Sequence, residues 1–246
     1  MTAIQFHTMA DGRRIAFRRA AGAGPALVFL PGYMSDMAGG KAQAVFDWAV
    51  AHGRAALLLD YSGCGESAGD FAQGTLSRWR EEVLALIAGH VPERVILIGS
   101  SMGGWLMLLC AQALGREKLA GLIGIAAAPD FTEWGFTAEQ KAALQRDGRL
   151  AEPNLYGPEP SVFTHAFWES GQQLRLLEAE IAIDCPVRLL HGEVDAEVPL
   201  EIALRLMRAL RSSDVQLNVL KGGGHRLSEP HEIRAILHAV EALLEP

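Results

Sequence analysis

Short apolar runs alternate with amphipathic stretches along most of the chain. The runs cover residues 26–30, 55–59, 95–98, 122–126, 187–190 and 215–220. Each is too short for a helix and too apolar for a strand with a wet face, so together they predict central strands of a buried sheet. Between them, Ala44/Val45/Trp48/Ala49, Trp79/Val83/Leu86/Ile87 and Leu200/Ala203/Leu204/Met207/Leu210 recur at helical spacing. A last helix is predicted with Ser228 as its cap and Pro230 in its first turn. Ile233, Ile236, Leu237, Val240 and Leu244 form its apolar face. At the other end, Ile4, Phe6, Ile15 and Phe17 alternate on either side of Asp11-Gly12, the signature of an opening hairpin. Strands and helices in this alternation predict an α/β fold, a mostly parallel central sheet flanked by helices.

The rhythm breaks once, over residues 130–184. That segment has few strand-like runs, three prolines (Pro153, Pro158, Pro160) and many aromatics, among them Phe131, Trp134, Phe136, Tyr156, Phe163, Phe167 and Trp168. It reads as a small helical cap inserted between the fourth and fifth runs. A chain of 246 residues, half of them hydrophobic, can bury a sizeable core and still fold as one α/β domain. The expected organisation is a single domain over 1–246 with the cap at 130–184 inside it.

Composition narrows the partners. A net charge of −7 without a basic stripe repels a phosphate backbone, which argues against nucleic acid. Cys64, Cys110 and Cys185 stand singly, without metal-ligand spacing, and an odd thiol count suits a reducing cytoplasm. No cofactor or metal is expected. No window approaches the ~18 consecutive apolar residues of a membrane span. Asp11, Arg13 and Arg14 interrupt the start of the chain, unlike a signal peptide, so no segment there is expected to be removed.

The chemistry centres on Gly99-Ser100-Ser101-Met102-Gly103. A strand runs into this G-x-S-x-G, and an all-round apolar stretch, Trp105 onward, follows it. Strand, sharp turn and buried helix are the context of a nucleophile elbow, in which a strained turn exposes the serine. Ser100 is the rival hydroxyl, but only Ser101 has glycines two residues away on both sides. A serine needs a histidine to take its proton and a carboxylate to hold that histidine's tautomer. On an elbow of this kind the chain order is Ser, acid, His.

His225 follows Gly222-Gly223-Gly224, after the last strand and before the last helix, where a side chain reaches the strand tops. His231 and His238 sit on the final helix, and His191 ends a strand as a structural residue. For the acid, the stretch from His191 to Pro199 follows a late strand and favours Asp195, with Glu193, Glu197 and Asp130 as alternatives. The oxyanion of acyl transfer needs two backbone N–H donors. Met102, directly after the nucleophile, and Tyr33, in the Pro31-Gly32-Tyr33 turn after the first run, are the candidates.

These features predict the α/β-hydrolase fold, and a longer set of stretches resembles one branch of it. The set comprises Pro31-Gly32-Tyr33-Met34-Ser35 with Gly40-Lys41-Ala42, the turn from Asp60 to Ser67, Thr75 with Trp79-Arg80, Gly99 to Leu106, Cys185 to Gly192, and His225-Arg226-Leu227. It resembles the branch containing the mitochondrial palmitoyl-protein thioesterase, which also cleaves mycophenolic acid acyl-glucuronide, and its bacterial relatives. The cap is the least similar part.

The resemblance implies hydrolysis of a carboxylic ester or thioester through Ser101, Asp195 and His225. The implied partner is a small-molecule acyl ester or thioester, or an acylated protein. The cap aromatics favour a small or medium-chain apolar acyl group. Acyl transfer or perhydrolysis on the same triad is the alternative. A non-catalytic receptor of this fold usually lacks a triad member, and here all three are present. Asp60 to Ser67 reads as a structural glycine turn, Trp105 as core and Cys64 as unreactive.

Overall fold

A computed structural model describes residues 2–154 and 160–244. Tyr156 and Pro158, singled out in the sequence, lie outside them. The opening pattern folds as β1 (Gln5–Thr8) paired antiparallel with β2 (Arg14–Ala20), and Gly12 takes the turn at φ +87°. The chain then winds through β3 (Ala23–Leu30), α1 (Gly40–Ala51), β4 (Arg54–Leu59), α2 (Leu76–His90), β5 (Val95–Ser100), α3 (Met102–Lys118) and β6 (Leu119–Ile125). The segment before the next strand of the sheet holds α4 (Phe131–Trp134), α5 (Ala138–Asp147), β7 (Arg149–Glu152), β8 (Ser161–Thr164) and α6 (His165–Gln173). The fold closes with β9 (Val187–Gly192), α7 (Leu200–Ala209), β10 (Val215–Leu220) and α8 (Pro230–Leu244).

Eight strands form one sheet in the order β1-β2-β4-β3-β5-β6-β9-β10. β1 and β2 run antiparallel to their neighbours, and the pairs from β4 to β10 are parallel. Parallel strands need helical crossovers, and the crossovers bury both faces. Along β3 the consequence is direct. Val28 and Leu30 join a core containing Trp79, Leu97 and Trp105, whereas Leu27 and Phe29 join the opposite core of Phe46, Ile96, Ile98 and Ile236. A core on each face fixes the register, because a one-residue slip would exchange the two side-chain sets.

Three details differ from the pattern reading. β10 is the edge of the sheet rather than a central strand: Gln216, Asn218 and Val219 are exposed. The two polar residues were the sign of an edge. Ser228 does not flank the last helix, because α8 begins at Pro230. Glu229 precedes it, and the Glu232 carboxylate accepts the Glu229 N–H at 2.8 Å. The insertion is not purely helical either, since β7 and β8 form an antiparallel pair of four residues each, too short to announce themselves by alternation.

The turn from Asp60 to Ser67 is a scaffold. The buried Asp60 carboxylate accepts the N–H groups of Met37 at 2.7 Å and Glu66 at 2.9 Å, joining the loop after β3 to the loop after β4. A Cβ on Gly65, which sits at φ +50°, would lie 2.2 Å from that carboxylate. Nearby, burial pushes the Cys64 thiol up to about 12, so it stays protonated at neutral pH. Among the described residues, no helix is long and apolar enough to cross a membrane.

Candidate active site

Ser101 stands between β5 and α3 with φ +54° and ψ −120°, a conformation that costs energy for any residue with a Cβ. Its backbone is clamped: the Ser101 N–H donates to the Ile125 carbonyl at 2.9 Å, and its carbonyl accepts from Gly104 and Ala128. The flanking glycines are steric requirements. A Cβ on Gly99 would sit 2.3 Å from the Gly103 carbonyl oxygen, and one on Gly103 would sit 2.1 Å from the Leu30 oxygen and 2.4 Å from the Pro31 oxygen. Gly103→Ala is therefore expected to destabilise the protein by at least the ~1–3 kcal/mol of an overpacked core site. A thermal melt checks this, since an unchanged Tm would contradict the close approach.

Two loops at the ends of β9 and β10 carry the other members. They are stitched together by Glu193 N–H to the Leu220 carbonyl at 2.9 Å, Val194 N–H to the Gly223 carbonyl at 3.0 Å, and Gly222 N–H to the Glu193 carboxylate at 2.9 Å. Gly192 permits the contact, as a Cβ there would lie 2.3 Å from the Gly223 oxygen. Asp195 and His225 thereby meet. His225 Nδ1 is 2.9 Å from Asp195 Oδ2, and His225 Nε2 is 2.9 Å from Ser101 Oγ. A carboxylate only accepts, so Nδ1 carries the proton and Nε2 faces the serine hydroxyl as an acceptor.

Asp195 is held on its other oxygen as well, with Oδ1 accepting the N–H groups of Glu197 and Val198 at 2.9 Å each. Burial alone would raise its carboxyl. The hydrogen bond from His225, the two backbone donors and the attraction of the imidazole outweigh that and keep it below the usual carboxylate range.

The alternatives fall into other roles. His191 is buried behind the loop that carries Asp195 and donates from Nε2 to the Val198 carbonyl at 2.9 Å. Asp130 turns away from the site and accepts the N–H groups of Leu176 and Leu177 at 2.8 Å each. Glu197 comes within 3.9 Å of His225 Nε2, farther than a hydrogen bond. Ser100 is buried within β5, opposite Ile125.

Met102 is the first residue of α3, so helix geometry leaves its N–H without an intrahelical acceptor, beside Ser101. The loop bearing Tyr33 passes directly over Ser101: a Cβ on Gly32 would sit 3.4 Å from that of Ser101. Tyr61, fully buried, donates its hydroxyl to the Pro31 carbonyl at 3.1 Å and steadies the start of that loop.

Ser101, His225, Tyr33 and Met102 all face a cavity of about 540 Å³. Its apolar lining includes Phe131, Trp134, Phe136 and Phe163 with Tyr33, whose ring meets those of Phe131 and Phe163. Phe167 and Trp168 are not part of it. Phe167 is buried in the core, and the Trp168 indole donates to the Thr132 carbonyl at 3.1 Å.

Polar residues line it as well, Lys41 and Arg226 near His225 and Gln140, Glu152 and Ser161 from the insertion, and sequence reasoning missed them. Burial holds the Lys41 ammonium down at about 8, and it donates to the Arg226 carbonyl, next to His225. A signal was present: Lys41 sits in the first turn of α1, where a cation opposes the helix dipole.

The Alpha/beta hydrolase family matches residues 27–236. The human mitochondrial palmitoyl-protein thioesterase ABHD10 is 34% identical over 249 residues, covering 99% of this chain and 81% of that protein, and the mouse protein is 35% identical over 246 residues. Among solved structures, a putative hydrolase from Agrobacterium vitis S4 superposes with a TM-score of 0.92 at 39% identity, covering 99% of this chain and 100% of that one. The mouse alpha/beta hydrolase domain-containing protein 10 gives 0.91 at 34% identity, with 98% of both chains covered.

Proposed function

The chain belongs to the alpha/beta hydrolase family, and from that premise we propose that it is a serine esterase or thioesterase acting through an acyl-enzyme on Ser101. The observation that carries the reading is the relay Ser101 Oγ to His225 Nε2 and His225 Nδ1 to Asp195 Oδ2, both 2.9 Å, opening onto a half-apolar cavity. Ser101 Oγ attacks the acyl carbon as His225 takes its proton, and the carbonyl oxygen becomes an oxyanion facing the N–H groups of Met102 and Tyr33. Collapse of that intermediate expels the alcohol or thiol, to which His225 returns the proton. Water then attacks the ester of Ser101, giving its proton to His225, and release of the free acid restores the serine hydroxyl. The name of the thioesterase relatives supports a thioester among the substrates.

The ring cluster of Tyr33 with Phe131, Phe136 and Phe163 is the acyl slot in this reading, and the leaving group sits toward His225 with Lys41 and Arg226. The substrate is then an ester or thioester of a small or medium-chain apolar acid. Each buried methylene contributes ~0.8 kcal/mol, so kcat/KM for p-nitrophenyl esters and matching acyl thioesters should rise by up to about fourfold per added carbon before the cap limits it. A flat or falling profile from acetyl onward would contradict the apolar slot. Accumulation of free acid in step with the leaving group distinguishes hydrolysis from acyl transfer.

A further inference from the structure

Tyr33 contributes a backbone N–H to the proposed oxyanion site, but its side chain is committed to the insertion. Its hydroxyl donates to the Val162 carbonyl of β8 at 2.5 Å, and its ring stacks on Phe163 with centroids 4.7 Å apart and planes 13° from parallel. Phe71 and Phe167 pack against the same ring at 5.0 and 4.9 Å. Burial pushes the phenol well above its ordinary range, so it remains a donor at any working pH. Met34, the next residue, is held at φ +54°. Such strain persists only where the surroundings impose it, so the loop depends on its packing for its shape.

The two parts of the insertion meet the core differently. The α6 side is pinned to the main sheet's helices and turns. Asp130 accepts from Leu176 and Leu177, Ser170 Oγ lies 2.9 Å from Ser77 Oγ, and the Trp105 indole donates to the Leu174 carbonyl at 3.1 Å. The β7–β8 hairpin meets the oxyanion loop through Tyr33. Tyr33 and Phe163 also both line the cavity, so an acyl chain in the apolar slot lies against this stacked pair.

We propose that the Tyr33 side chain couples filling of the acyl slot to alignment of the oxyanion donor, so that acyl-chain binding energy is expressed in kcat and not only in KM. The inference rests on the serine-hydrolase reading of the same site. Its physical basis is that the donor and the slot wall are one residue: a chain that seats Phe163 and Tyr33 also fixes the backbone that bears the N–H. Binding energy from a remote, unreactive part of a substrate raises kcat when it is realised only as the reacting geometry forms. Small misplacements of that geometry are costly, on the order of 10²-fold for 1 Å.

The test is to measure kcat and KM separately for acetyl to hexanoyl esters with the wild type, Tyr33→Phe and Phe163→Leu. Tyr33→Phe keeps the backbone N–H and removes only the bond to Val162, and Phe163→Leu loosens the stack from the hairpin side without touching the loop. In the wild type, kcat should climb with acyl length. In each variant the ratio of hexanoyl to acetyl kcat should fall by about fivefold, the worth of one neutral hydrogen bond for Tyr33→Phe and of one stacked aromatic pair for Phe163→Leu.

A plain structural defect would instead lower kcat by the same factor at every length, and that result overturns the coupling. So does a wild-type length dependence confined to KM, or a variant ratio equal to the wild type's. If turnover by the wild type does not depend on Ser101, the hydrolase reading fails and the coupling fails with it. If turnover depends on Ser101 but kcat ignores acyl length, the coupling alone fails.

Discussion

Ser101→Ala is expected to lower kcat by about 10⁴–10⁶ while the protein stays folded. The change removes one oxygen from the lining of the cavity and leaves the clamped backbone of the elbow intact, since all of its bonds to Ile125, Gly104 and Ala128 are main-chain. The activity that remains should be the ~10³–10⁴-fold advantage over water that oxyanion donors and substrate binding supply without a nucleophile. Steady-state ester hydrolysis beside a thermal melt checks both parts. A loss below about tenfold would move the nucleophile elsewhere.

The second large effect concerns the acid. Asp195→Asn should cost up to ~10⁴ in kcat, and the hydrogen bonds around Asp195 show why. Oδ1 is fixed by the N–H groups of Glu197 and Val198, so an asparagine keeps its carbonyl oxygen there and turns its NH₂ toward His225. An NH₂ facing Nδ1 makes that nitrogen an acceptor and moves the ring proton to Nε2, where it can no longer take the serine's proton.

Asp130→Asn provides the contrast. Both Asp130 oxygens accept backbone N–H groups, so the amide leaves one donor facing another. That change should cost ~1–3 kcal/mol of stability, with a far smaller effect on kcat than Asp195→Asn. If Asp130→Asn damages kcat more than Asp195→Asn, the assignment of the acid is wrong.

Much of this arrangement was legible in the sequence because local chemistry and global position agree. Gly99, Ser101 and Gly103 mark a turn that only small residues allow, and the pattern of strand before and buried helix after places it at the end of the sheet. Asp195 and His225 each follow a strand that the apolar runs locate, and the structure brings all three side chains within hydrogen-bonding distance.

What was not legible depends on partners far along the chain. The role of Asp130 as an anchor needs the backbone of Leu176 and Leu177. The exposure of β10 follows from its place at the sheet edge, and the strands β7 and β8 gain their stability from each other rather than from a hydrophobic period. The contact of Lys41 with Arg226 at the cavity and the bond from Tyr33 to Val162 likewise join residues more than a hundred positions apart. No window of the sequence contains them.

The central claim is that Ser101 is the nucleophile, and the most direct test is to treat the protein with a fluorophosphonate and map the adduct by peptide mass spectrometry. The account predicts one adduct, on the peptide carrying Ser101 and on that residue within it, with esterase activity lost in proportion to labelling. An adduct on Ser100 or on any other residue, or full labelling of Ser101 with activity retained, would contradict it.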